Sequence, residues 1–189
     1  SAEMPSRPTV MRGKTPLLYD GTEVPESLEH FLLDALHDQT DFDSFIVPWE
    51  KFLTKLAETQ SMEVYNNIHN FLQHNDLELN KDGDIIAYKA VTKDFKDIYT
   101  GKLDNSVGQV VTEDRKKISS NPDKTCSFGL HACSLDYLRN SGYAPIGSNL
   151  VEIVVDVRDI VCVPNDYKGT KIRVCKYVVS KFLRVRDGT

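Results

Sequence analysis

The residues best equipped for chemistry in this 189-residue chain fall in one run, Thr125-Cys126-Ser127-Phe128-Gly129-Leu130-His131-Ala132-Cys133-Ser134. It holds two of the four cysteines and one of the five histidines. Three chemistries are open to it. In the first, Cys126, Cys133, Cys162 and Cys175 are small buried apolar residues and His131 bonds a backbone carbonyl. In the second, Cys126, His131 and Cys133 are joined by Cys175 from a distant strand as the Cys₃His set that zinc accepts, although these gaps are not the usual two-residue knuckle. A Cys–His nucleophile would further need a third group to orient the base, which sequence does not reveal. In the third, Lys89, Asn105, Ser106, His131, Ser134 and Arg173 line a pocket for a small anion or nucleotide, with Lys176 added to the ligand-facing set. No residue is assigned a catalytic role and no cofactor is required; a nucleotide and zinc are the alternatives.

These side chains need elements to hold them. Gly129 marks a turn, after which Leu130 and Ala132 face one side of a short strand and His131 and Cys133 the other. Ser134 then reads as the N-cap of a helix carrying Leu135, Tyr137 and Leu138, ending near Gly142. Ile85 to Val91 is a continuous β-type run, a buried strand whose Lys89 either snorkels to the rim or meets an anion. Asp94 to Gly108 reads as a polar loop ending in Asp104-Asn105-Ser106-Val107-Gly108, a cluster suited to turns or to a ligand's hydroxyls. Gln109 to Val111 is a short strand, and Glu113 to Lys124 a charged surface loop with a turn at Asn121-Pro122-Asp123. Leu150 to Val157 and Ile160 to Val163 are strands, the second ended by Pro164 to Tyr167 and Gly169. Ile172 to Val179 is the last long strand, extended through Phe182 to Val185.

Upstream the pattern is helical. Leu28, Phe31, Leu32, Ala35 and Leu36 recur at three and four from Glu26; a second helix opens at Pro48 with Trp49, Phe52, Leu53 and Leu56 inward. A third follows Ser61, with Met62 or Val64, Ile68, Phe71 and Leu72 inward and Asn75 near its end. His30, His37, His69 and His74 are surface or boundary residues of this small bundle. Ser1 to Pro25 carries four prolines and reads as an arm with one short strand, Leu17 to Tyr19. The fold class is α+β: an arm over 1–25, a helical region over 26–79 packed with a β-rich domain over 80–189.

At 40% hydrophobic and 27% charged residues with a net charge of −5, the composition is that of a globular chain. No apolar run reaches membrane-spanning length and no signal peptide opens the sequence, so a cytoplasmic setting with reduced thiols is expected. The start at Ser-Ala-Glu reads as a cut end. From Asp20 to Glu50 there are nine acidic residues and no Lys or Arg, whereas Lys171 to Arg186 is basic. No basic stripe with interleaved aromatics points to nucleic acid.

Taken as an ordered set, Ala87-Tyr88-Lys89, Asp104-Asn105-Ser106-x-Gly108, Thr125-Cys126-Ser127-x-Gly129-Leu130-His131-x-Cys133-Ser134, Val163-Pro164-x-Asp166-Tyr167 and Arg173-x-Cys175-x-Tyr177 closely resemble the C-terminal half of the phage rII B protein family. That family is named for protection from prophage-induced early lysis. The resemblance runs from about Leu28 to Val179. It departs at the N-terminus, where the family's helix-turn-helix-like region has no counterpart in Ser1 to Pro25, so no DNA role is carried over. The resemblance implies a phage early protein in the host cytoplasm that counters a host or prophage exclusion protein, near the membrane through an rII A-type phage partner.

A second resemblance is to the skeleton of ADP-ribosyltransferase-like domains, carried by Tyr88-Lys89, Gly129 to Ser134 with the following helix, and Lys176 to Val179. There a Glu opens the late strand motif, and Lys176 stands in its place. A lysine opposes the positive charge that such transfer develops, so the resemblance implies a binding-only domain. The expected function is therefore protection by binding a host factor. The alternative is a nucleotide-binding, sponge-like or degenerate ADP-ribosyltransferase-like domain.

Overall fold

The computed structural model describes residues 18–19, 22–38, 42–75, 78–124, 127–140, 144–166 and 168–187. A ribbon of β1 (Leu18–Tyr19) and β2 (Thr22–Glu23) precedes three helices, α1 (Glu26–Asp38), α2 (Phe42–Ala57) and α3 (Met62–His74). The strands follow: β3 (Ile85–Val91), β4 (Val110–Thr112), β5 (Leu130–Cys133), then α4 (Leu135–Asn140), β6 (Asn149–Val155), β7 (Ile160–Cys162), β8 (Lys171–Val174) and β9 (Lys176–Val185). The expected α+β class is what forms. Leu17 of the expected first strand, Cys126, Gly142 and Tyr167 lie outside the described residues. Among those described, no helix is long and apolar enough to cross a membrane.

The helices form for local reasons. The Ser61 hydroxyl caps α3 by accepting from Val64 N at 3.2 Å, and Val64, Ile68, Phe71 and Leu72 are buried while Met62 stays exposed. The second helix does not open at Pro48: α2 begins at Phe42 and holds Pro48 in its interior. A proline there removes one bond to the carbonyl four residues back, but Ile46 before it and Trp49, Phe52, Leu53 and Leu56 after it are all buried at helical spacing. Packing on both sides of the proline outweighs the missing bond.

All seven remaining strands join one antiparallel sheet in the order β4-β9-β6-β3-β5-β8-β7. The single last strand expected from the sequence is in fact two, broken at Cys175. β8 pairs with β5 and β7, and β9 with β4 and β6. They stand four places apart, about 19 Å in a flat sheet at ~4.8 Å per step. Yet one residue joins them, a reach of about 7 Å. The sheet must therefore curl until its two margins meet at this corner. Cys175 N donates to Asp159 O and Glu113 N to Cys175 O, both at 2.9 Å, and Arg115 Nη2 bridges to Ile160 O at 3.0 Å.

Strand alternation then sorts the side chains. Val111, Ala87, Val91, Leu130, Ala132, Val151, Ile153, Ile172, Val174, Tyr177 and Val179 fill the concave face and share one apolar cluster with the buried residues of the three helices. Tyr88, Ala90, Cys133 and Leu150 form the opposite face, covered by Leu138 of α4. The Asn80–Gly83 turn presses on α2: Gly83 has φ +76°, and a Cβ there would lie 2.5 Å from Phe52 N. Helical segment and sheet are joined without room for a side chain.

Candidate functional site

The central run enters β5 through Gly129, whose φ is +140° and whose missing Cβ would meet Ile118 Cγ2 at 2.8 Å. Only glycine passes there comfortably. β5 lies between β3 and β8, with His131 opposite Arg173 and Cys133 opposite Lys171. The period of two puts His131, Cys133, Lys171 and Arg173 on the outer face, beside α4.

Arg173 is 1% exposed. Its Nη2 donates to Asn121 O at 2.6 Å and to Cys162 Sγ at 3.1 Å. Its Nε and Nη1 are buried with no hydrogen-bond partner. A guanidinium has five N–H bonds, so three here lack an acceptor. A buried unanswered donor costs on the order of 1–3 kcal/mol. Glu63 senses this charge, but its carboxylate accepts from Val163 N at 3.3 Å and forms no ion pair with Arg173.

Lys171 is 3% exposed, with Nζ 5.5 Å from the centre of the Tyr137 ring. Burial, then the cations Lys171, Lys89 and Arg173, push the His131 pKa down to about 3. Burial pushes the Cys133 thiol up to about 11, against the pull of Lys89 and Lys171. Near neutral pH the imidazole is therefore uncharged and the thiol protonated.

Lys89 takes neither course expected from sequence. It points into the concave face, where Nζ donates to the His131 carbonyl at 2.8 Å and sits 5.6 Å from the Tyr177 ring centre. A carbonyl and a ring face answer the buried cation in place of water or an anion, and burial lowers its pKa. Asn105, fully buried, lies on the same side: its Oδ1 accepts from Tyr177 Oη and its Nδ2 donates to Leu103 O at 3.1 Å.

The structure thus brings His131 and Arg173 together, while Lys89 meets them only through the His131 backbone. The Ser134 hydroxyl caps α4 by accepting from Tyr137 N at 3.3 Å. Ser106 folds onto Asp104 Oδ1 at 2.5 Å. Lys176 is exposed where β9 starts, paired with Thr112. Lys171, Cys162 and Asn121 were not in the expected set. The signal for Lys171 is its i, i+2 spacing from Arg173, which puts two cations on one face of a strand that starts at Lys171.

Of the alternative metal set, Cys126 lies outside the described residues, and Cys175 sits at the strand corner with Sγ 3.9 Å from both Arg115 Nη1 and Asp159 Oδ1. Among the described residues no group of three His, Cys, Asp or Glu is placed to hold a metal ion. An open groove between α2 and the Asn80–Gly83 turn is also charged, but there the charges pair off. Lys55 meets Asp84 at 2.7 Å, and Arg158 meets Asp156 at 2.6 Å and Glu58 at 2.8 Å.

Residues 17–183 match the family model described as Bacteriophage T4 protein rIIB. The chain is 35% identical over 163 residues to Protein rIIB of Enterobacteria phage T4, an alignment covering 86% of this chain and 50% of that protein. The chain thus spans about half the length of the curated relative it matches. No solved structure matches. The likeness to ADP-ribosyltransferase-like domains has no counterpart in these matches.

Proposed function

Because the chain belongs to the Bacteriophage T4 protein rIIB family, we propose that it is an early phage protein that protects an infection against a host or prophage exclusion system by binding a host factor. The observation that carries binding is the charge of the helical segment. Nine acidic residues and no Lys or Arg fall between Asp20 and Glu50, with Glu26 and Asp34 exposed on α1. Such a concentration of negative charge steers a basic partner and raises its association rate. The central run supports binding over catalysis. A general base works best with a pKa near the working pH, whereas His131 lies at about 3 and the Cys133 thiol at about 11. An rII A-type phage protein is the partner that would hold the chain near the host membrane. The test is expression of this chain in hosts with and without a resident exclusion system, infected by a phage lacking its rIIB-type function. Restored plating confined to the excluding host supports the reading; no restoration removes it.

A second reading, a nucleotide-binding, sponge-like or degenerate ADP-ribosyltransferase-like domain, is favoured by one observation: the unanswered donors of Arg173.

A further inference from the structure

We infer that the outer face of β5 and β8 is a phosphate subsite, in which Arg173 supplies the donors and the charge, and the Asn121–Asp123 turn the cover. The inference rests on the nucleotide-binding reading and gives it a place. Three observations carry it. Arg173 is the only arginine among the described residues with buried nitrogens lacking a partner, whereas Arg115 and Arg158 both bond carbonyls or carboxylates. Buried donors in a folded chain are nearly always answered, so an acceptor is missing from this one.

The surroundings choose the acceptor's charge. Arg173 is almost fully buried, and Glu63, the carboxylate that senses its charge, forms no ion pair or hydrogen bond with it. A phosphate carries charge opposite to the guanidinium and presents several oxygens to it. The neutral imidazole of His131, opposite Arg173, adds an N–H without adding charge.

The third observation is the cover. Arg173 Nη2 holds Asn121 O at 2.6 Å, and the turn is pinned a second time from Asn165, whose N donates to Pro122 O at 2.9 Å and whose Nδ2 donates to Asp123 Oδ1 at 2.7 Å. With the turn down, the free nitrogens have no contact with solvent. An incoming phosphate competes for the guanidinium with the Asn121 carbonyl, so entry and lifting of the turn are one event.

The experiment is NMR of the arginine Nε–H resonances in the whole chain, titrated with inorganic phosphate, AMP, and sodium chloride at matched ionic strength. Phosphate and AMP should shift the Arg173 Nε–H, and chloride should not. Binding of AMP at least tenfold tighter than phosphate identifies a nucleotide site; equal affinities identify a site for the free ion. Asn165→Ala, which removes the side-chain bond to Asp123 while keeping the Asn165 N–H bond to Pro122 and the donors, loosens the turn and should tighten phosphate about threefold or more. Arg173→Lys should weaken it at least tenfold; if that variant does not fold, the wild-type resonance decides. Equal responses to chloride and phosphate overturn the subsite. AMP binding that moves other resonances but leaves the Arg173 Nε–H in place also overturns it, while the nucleotide-binding reading survives. No binding of either phosphate ligand ends both.

Discussion

His131 is uncharged in the folded chain because burial and three neighbouring cations hold its pKa at about 3 against an ordinary 6.5. A depressed folded pKa means that the unfolded chain takes up the proton first as pH falls. The contribution to stability is full above about pH 6.5 and is lost between there and about pH 3, with a slope on the order of 1 kcal/mol per pH unit. Urea unfolding at pH 7 and pH 4.5 should show a larger loss for the wild type than for His131→Leu. For Arg173, replacement by methionine removes a buried cation with three unanswered N–H bonds at similar volume. Arg173→Met should be as stable as the wild type or about 1 kcal/mol more so by urea midpoint; a loss above about 2 kcal/mol would mean the guanidinium is satisfied after all. At this scale the sequence showed what is local: the alternation of His131 and Cys133 and the cap at Ser134. It could not show that Lys89 ends on a carbonyl 42 residues away or that Arg173 lacks acceptors, since both depend on strands brought together by the fold.

Elements followed the same rule. β3 forms over Ile85–Val91, and α3 follows Ser61, because a continuous β-type run and a hydroxyl cap act within their own segments. At Pro48 the local preference of proline for a first turn loses to apolar spacing on both sides. Nothing local in Arg173-Val174-Cys175-Lys176-Tyr177 announces the corner at Cys175; the curl of the whole sheet creates it. Two substitutions test the elements around the site. Ser134→Ala should cost about 1 kcal/mol through the lost cap of α4. Gly129→Ala should cost on the order of 1–3 kcal/mol, since φ of +140° and a Cβ contact of 2.8 Å with Ile118 cannot both be relieved cheaply. Both are read by urea unfolding at pH 7.

At the scale of the molecule, one apolar cluster runs from the helices through the concave face of the sheet, leaving charge to divide the surface. The acidic segment between Asp20 and Glu50 stands against the basic run from Lys171 to Arg186, and this asymmetry was fully legible because charge needs no fold to be counted. If the acidic helices meet the host factor, their charge matters to protection and the outer face of β5 does not. The most direct measurement is plating of a phage lacking its rIIB-type function on an excluding host that expresses Glu26→Lys/Asp34→Lys or His131→Ala, each first checked for folding by urea unfolding. The account predicts that the charge-reversed chain fails to protect and that His131→Ala protects nearly as well as the wild type. Protection that survives charge reversal but is lost in His131→Ala would contradict it, and would move the function to the face that His131 shares with Arg173.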